Sequence, residues 1–377
     1  LGAAYNSLSG EGVSASQQTT FMANDFLHSS ANRQMNFWLY DQEDNGANSL
    51  TLYDDRADIS PDRKWRATAP YDTRAPRFAE RTWKTWMIGS GGALAYPGQA
   101  STGSANMSSG GYGFAGGVDR QITPNFLVGA AGGYGTYGFG VQQRQTYGNV
   151  YGGHVAGYAA LKGGPFYATG VLSGDFFDNY AHRSVSIAGS PTTTLFDENV
   201  YTPGVYDNLN GKFGSRSISG MGEAGYRTKV GKVDVTPFAA LQFSSLRSDG
   251  FNEFNGFSQS VVALNYQGRT ISSLPSYVGL QLNHDFDLGN GLPLWGWTRA
   301  AWRHEFDQLR TVTTAFMAAP GMNFTTLGAP GVRDMAWVSS GIKLGITSNL
   351  ALFAGFDGNF APAAYAVSGS GGIQMRW

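Results

Sequence analysis

The last residues of the chain, SGSGGIQMRW (368–377), alternate in character with a period of two. Gly369, Gly371, Ile373, Met375 and Trp377 form one set, small or apolar and ending on an aromatic. Ser368, Ser370, Gly372, Gln374 and Arg376 form the other, polar with one charge. A period of two places the sets on opposite faces of a β-strand, each face in its own environment. The same texture of glycine, aromatics and alternation begins near Lys84 and predicts twelve strands, at 84–97, 104–121, 126–140, 149–162, 165–181, 212–229, 233–248, 269–286, 293–309, 331–346, 350–361 and 364–377. Short connections follow strands 2, 4, 6, 8 and 10 (ITPN, GG, VGK, LGNGLP, TSN), whereas 182–211, 249–268 and 310–330 are long. The PA connection after strand 11 departs from this alternation, and the one after strand 1 is of moderate length.

Ahead of the strands the period changes. SASQQTTFMANDFLHSSANRQM has few glycines, and Val13, Phe21, Met22, Phe26 and Leu27 fall roughly on one side at helical spacing. Gln17, Gln18, Asn24 and Asp25 fall on the other, and the reading is a helix over 14–30 after an interruption at Gly10 and Gly12. Its apolar stripe is thin, so such a helix is marginal in isolation and needs a container. Residues 41–82, dense in Asp and Arg with prolines and without periodicity, read as a polar linker. The expected organisation is a helical segment 1–40, a linker 41–82 and a strand domain 83–377.

Composition identifies the solvent. The chain has 53 glycines, 14% aromatic and only 14% charged residues, against about 25% charged in an ordinary globular chain. Low charge suggests a membrane, yet no apolar run approaches the roughly 20 residues of a spanning helix. Strands of about 9–11 residues cross a bilayer and look weakly hydrophobic, because half of each faces a polar lumen. Short turns at one end and long loops at the other are the mark of an up-and-down barrel in an outer membrane, and an even strand count leaves both barrel termini at the short-turn end. A soluble glycine-rich sandwich would need a second layer for the apolar faces of twelve long strands. The expected fold is all-β: a 12-stranded antiparallel transmembrane β-barrel with an N-terminal α-helix inside the pore. LGAAYNSLSG has neither the basic start nor the apolar core of a signal peptide, so a mature or excised fragment of an exported protein is expected. Net charge is −1, which gives no reason to expect nucleic acid, and cysteine is absent.

A cationic side chain on the lipid face near mid-bilayer costs about 2–4 kcal/mol, so charged side chains should turn into the lumen. Alternation then places Arg299, Arg303 and Glu305 inside, with Ala300, Trp302 and Phe306 outside; Glu223 and Arg227 are inside, with Ile218, Ala224 and Tyr226 outside. Asp119, Asp175, Lys343 and Asp357 follow the same rule, and His154 joins the lumen set. Mixed charge beside many glycines leaves room for a polar, weakly charged occupant, which the helix carrying Gln17, Gln18, Phe21, Asn24 and Asp25 fits.

Motifs for chemistry are sparse. Gly111–Gly116 and Gly133–Gly138 match the dinucleotide pattern GxGxxG, but both sit within alternating runs instead of opening a helix. None of the five histidines, His28, His154, His182, His284 and His304, pairs with another at metal-ligand spacing, and no cofactor is expected. A barrel-type hydrolase would use His284, beside Asn283 and Asp285, although no serine sits in a recognisable nucleophile turn.

LSGEGVSASQQTTF (8–21), GYGFAGGVDRQITPNFLVGAAGGYG (111–135), VDVTPFAALQFSSL (233–246), RAAWRHEF (299–306), AFMAAPGMNFTTLGAP (315–330) and the closing IQMRW, in that order, resemble the C-terminal translocator domain of type V monomeric autotransporters. The resemblance covers nearly the whole chain. It implies a non-enzymatic outer-membrane translocator for an N-terminal passenger, with long loops and passenger extracellular and barrel termini periplasmic. The helix would remain in the pore as the passenger's last tether. It also implies a terminal strand, with Ile373, Met375 and Trp377, read by the barrel-assembly machinery, and a monomer in the lipid bilayer. Two departures stand out. The 41–82 linker is longer than the family pattern, and the helix lacks the Asn-Asn pair that some members use for self-cleavage. A porin would explain the barrel without the helix, and a barrel hydrolase would explain His284 alone.

Overall fold

The computed structural model describes residues 6–40, 82–193, 199–231, 233–256, 260–287 and 292–377. The 41–82 linker, apart from Thr82, lies outside the described residues.

Twelve antiparallel strands close into a barrel. They are β1 (Trp83–Tyr96), β2 (Met107–Thr123), β3 (Phe126–Val141), β4 (Thr146–Gly163), β5 (Phe166–Ile187) and β6 (Val205–Tyr226). The circuit continues with β7 (Val233–Ser248), β8 (Arg269–Ser273 and Pro275–Asp287), β9 (Pro293–Glu305), β10 (Asp334–Gly345), β11 (Leu350–Ala361) and β12 (Ala364–Arg376). Each strand pairs with its sequence neighbours, and β12 returns to β1 in register from Lys84↔Arg376 to Ala95↔Tyr365. Closure removes the free edges that an open sheet would present to lipid. The seam is fastened beyond the ladder as well: Trp83 and Trp377 exchange backbone hydrogen bonds of 3.2 and 3.0 Å, and their rings stack at 5.8 Å.

The faces follow the alternation. Outward positions carry exposed apolar side chains, among them Met87, Phe114, Leu172, Ile218, Leu280, Trp302, Ile373, Met375 and Trp377. The opposite face of β12 turns Gln374 inward, where it is buried and donates to Gln34 Oε1 at 2.8 Å. Both GxGxxG matches lie inside β2 and β3, paired across one ladder with Gly113 opposite Gly135. No phosphate-binding turn can form in continuous strand.

The α-helix, α1, runs Ala15–Tyr40, ten residues beyond the expected end at 30, and follows a 3₁₀ turn at Glu11–Ser14. The stretch ANRQMNFWLY contains no helix breaker, and Leu27, Ala31, Met35, Trp38 and Leu39 continue an apolar line at helical spacing, so the expected end at 30 falls short of a period the sequence carries. At 1.5 Å per residue α1 is roughly 39 Å long, enough to traverse the barrel wall. Burial over most of its circumference supplies the stability that its weak amphipathicity lacks.

The β5–β6 ribbon extends past the expected loop start at 182, with Arg183↔Leu209 and Ile187↔Val205 in register. The β7–β8 and β9–β10 connections, read as loops, contain a second antiparallel sheet of Phe251–Asn252, Leu264–Tyr266, Thr311–Phe316 and Phe324–Leu327. Its strands are short and recruit partners from distant connections, which leaves no local period to detect.

Candidate functional site

The helix enters at the long-loop end and leaves at the short-turn end. Residues 7–18 are held by the connections that converge on them. Arg144, in the β3–β4 connection, pairs with Glu11, and Glu11 Oε1 accepts from the Ala105 amide at 2.6 Å. Arg183 binds Glu253, donating Nε at 2.8 Å, and reaches the carbonyl of Ser7 at 2.7 Å. Glu253 also accepts from the Leu264 amide at 2.9 Å and the Tyr266 hydroxyl at 3.2 Å. Buried ions need this degree of hydrogen bonding to offset lost hydration. Tyr266 donates to the Gly10 carbonyl at 3.3 Å, and Thr326 to that of Ser9 at 3.3 Å.

This collar requires small residues in the clasped segment. Gly10 has φ +67°, the left-handed region. A Cβ on Gly12 would sit within 2.6 Å of three Thr146 side-chain atoms. What reads in sequence as interruption of a helix is the segment that lets chain and loops approach.

Each pore-helix residue singled out from sequence meets a specific wall position. Gln17 donates to the Thr311 carbonyl at 2.8 Å, and Gln18 accepts from Arg310 Nε at 3.1 Å. Phe21 packs with Leu246 and Ile271 beneath the Arg310 guanidinium, 4.7 Å from its ring centroid. Asn24 donates to Ser217 at 3.0 Å, and Asp25 accepts from Gln242 at 2.6 Å. Asp25 faces a cavity of about 130 Å³ left between α1 and the wall around Gly92, Tyr277 and Trp337.

The wall residues assigned to the lumen all turn inward and fall into separate clusters. His154 bonds Asp175 at 2.9 Å, and Asp175 accepts from Ser217 and Ser219 at 2.8 and 3.1 Å. His28 of α1 joins this cluster through Ser173 at 3.0 Å. Glu223 pairs with Arg299 at 2.5 Å and accepts from Tyr167 at 2.8 Å. Asp357 of β11 is bound at 2.8 Å by Arg33 of α1, which also donates to Ser370 of the adjacent β12. Arg303 and Glu305 pair at 3.0 Å, and Asp119 accepts from Tyr158 at 3.1 Å. Arg227 caps the C-terminal end of the helix by donating to the Leu39 carbonyl at 2.8 Å, and Lys343 lies 5.0 Å from the Phe37 ring centroid. Arg33, His28, Glu11, Arg144, Arg183 and Glu253 were not found from sequence, since their partners stand far away in the chain.

At the short-turn end Phe37 meets Trp295, Trp297 and Phe353 edge-on at 5.6, 5.5 and 5.3 Å. Tyr40 donates to Thr236 at 2.8 Å. Beside this cluster opens a cavity of about 420 Å³, lined by Trp295, Lys343, Gln374 and Arg376 among others. His284, the candidate of the hydrolase reading, packs edge-on against Phe286 at 4.8 Å. Among the described residues no group of histidines and acids has the arrangement of a metal site.

The barrel matches a known family profile, that of the autotransporter beta-domain, over residues 85–357. The chain belongs to the autotransporter β-domain family. Family membership makes it an outer-membrane translocator, in a family whose function is passenger export. The same fold occurs in the translocator domain of the autotransporter NalP from Neisseria meningitidis, with a TM-score of 0.58 at 14% identity, covering 78% of this chain and 88% of that one. The β-domain of the Bordetella autotransporter BrkA aligns with a TM-score of 0.49 at 16% identity, covering 78% of this chain and 100% of that one. An extracellular serine protease of Serratia marcescens is 24% identical over 172 residues, which are 45% of this chain and 16% of that protein. The alignment thus spans only a small part of that relative. Family membership also decides between the readings left open by sequence, in favour of the translocator over the porin and the hydrolase.

Proposed function

We propose that this autotransporter β-domain exports a passenger joined ahead of Leu1, with the long-loop end outside the cell and the short-turn end in the periplasm. The helix stays in the lumen afterwards and closes the pore. The observation that carries this reading is the direction of α1: Glu11 lies among the long-loop connections and Tyr40 beside the β6–β7 and β4–β5 turns. A chain continuing outward from residue 6 therefore leaves at the long-loop end. At its other end, Tyr40 stands on the same rim from which β1 starts.

Gln17, Gln18, Phe21, Asn24 and Asp25 act as the plug's contacts, and the inward charges of the wall are its sockets. Domain boundaries at 40 and 83 follow, with the linker joining two points on the periplasmic rim. The outward, exposed Ile373, Met375 and Trp377 serve the barrel-assembly machinery as the signal on the terminal strand. The domain works as a monomer and performs no catalysis of its own.

Placing an epitope ahead of Leu1, behind a secretion signal, tests the topology. Antibody and external protease should reach the tag on intact Gram-negative cells while the barrel remains a heat-modifiable membrane species. A tag that stays periplasmic beside an assembled barrel would refute export.

A further inference from the structure

The rule that charged side chains turn inward gives way toward the rims of the wall, where Arg120, Asp178 and Lys212 are exposed, and at one pairing two arginines meet. Arg216 of β6 and Arg247 of β7 are direct cross-strand partners, and both point outward and are exposed. Among the described residues neither has a hydrogen-bond or ion-pair partner. Like charges directly opposite each other destabilise a sheet, with Cβ atoms about 4.5–5.5 Å apart. Two guanidiniums at that spacing suit one shared phosphate, whose oxygens accept their planar forks of N–H donors.

Their surroundings define the ligand. Successive pairings set Tyr134, Gly153, Phe176, Arg216 and Arg247 in one row across β3 to β7. On the short-turn side of this row the wall is lipid-like, with Ile218 61% and Leu172 57% exposed. The arginines thus mark the long-loop edge of the apolar belt, where a cation's cost falls to about 0–1 kcal/mol. A surface groove of about 320 Å³ runs beside Arg216, with Tyr134, Tyr151 and Phe176 along it. Asp178 and Asp249 border the groove near Gly214, and Lys212 lies beyond them, 5.2 Å from the Tyr180 ring centroid. These five groups carry three positive and two negative charges.

We infer that Arg216 and Arg247 bind the phosphate of a phosphorylated lipid headgroup in the leaflet at the long-loop end, with the lipid's body lying along the aromatic groove. The inference rests on the outer-membrane reading. The full chain, refolded in a maltoside detergent that carries no phosphate, can be titrated with bis-phosphorylated lipid A and with its phosphate-free form, and bound lipid counted by native mass spectrometry. The phosphorylated form should bind at least tenfold more tightly than the phosphate-free form. Arg216→Gln/Arg247→Gln should abolish that preference, while Arg120→Gln, an exposed arginine at the opposite rim, should retain it.

Equal binding of the two lipids, or full binding by the double variant, would overturn the site. Displacement of the lipid by millimolar inorganic phosphate would identify a free-phosphate site and overturn the lipid assignment. Heat-modifiable mobility reports the barrel independently: variants that keep it while losing the preference support the site. A chain that never gives the heat-modifiable barrel overturns the membrane reading and the site with it.

Discussion

The two ends of the buried helix are closed by different chemistry. At the long-loop end, connections between strands converge on residues 7–18 with buried ion pairs and bonds to the main-chain carbonyls of Ser7, Ser9 and Gly10. At the short-turn end, an aromatic cluster around Phe37 packs beside a cavity of about 420 Å³. The first end holds the chain by directional bonds, which fix register. The second holds it mainly by apolar contact, with bonds from Arg227 to the Leu39 carbonyl and from Tyr40 to Thr236 beside it, and leaves room. On the proposed export outward through the long-loop end, a firm grip at the exit and a looser one at the entrance is the useful polarity.

Breaking the exit should have the largest effect. Arg183→Ala strands Glu253 in a buried site, where removing one partner of an ion pair costs about 3–5 kcal/mol. Denaturant titration of the refolded barrel should show that loss, together with new protease cleavage between residues 6 and 14. Replacing both partners with apolar residues should cost much less, and an equally unstable double variant would argue that shape, not charge, holds the collar.

At the entrance, Phe37→Ala removes a ring that is 2% exposed. Such truncations cost about 3–5 kcal/mol in a tight core. The adjacent cavity already admits solvent, so the lower end of that range is expected, with no new cleavage at 6–14. Cleavage appearing there would mean that the two ends are coupled and the contrast is false.

The smallest effect sharpens the contrast by one methyl group. Gly12→Ala brings its Cβ against Thr146, and overpacking of this kind costs about 1–3 kcal/mol. Adding Thr146→Ala should restore most of the loss, and a double variant as unstable as the single one would place the defect in the backbone of the clasped segment.

How much of this was legible follows from where each signal lies. The strands were readable because β12 meets lipid on one face and the helix on the other, so Ile373, Met375 and Trp377 separate from Gln374 within a few residues. The start of α1 was readable from Phe21, Met22 and Phe26, and its last ten residues carry a legible line as well, Ala31, Met35, Trp38 and Leu39, which pack against Trp86, Ile88 and Leu127 of the wall. The collar left no trace: Glu253 and Arg183 are 70 residues apart, and a pairing that long has no local period. The rule that sends charge inward placed Glu223 and Asp175 in the lumen, but taken alone it would misplace Arg216 and Arg247, which stand at the belt's edge where the penalty fades.

The central claim is that the helix fills an otherwise open barrel. Single-channel conductance in planar bilayers tests it most directly, comparing the full chain with a variant lacking residues 1–40. The full chain should be nearly silent, and the shortened barrel should conduct at least tenfold more. Equal conductance in the two would contradict the claim, since the helix would then not be what closes the pore.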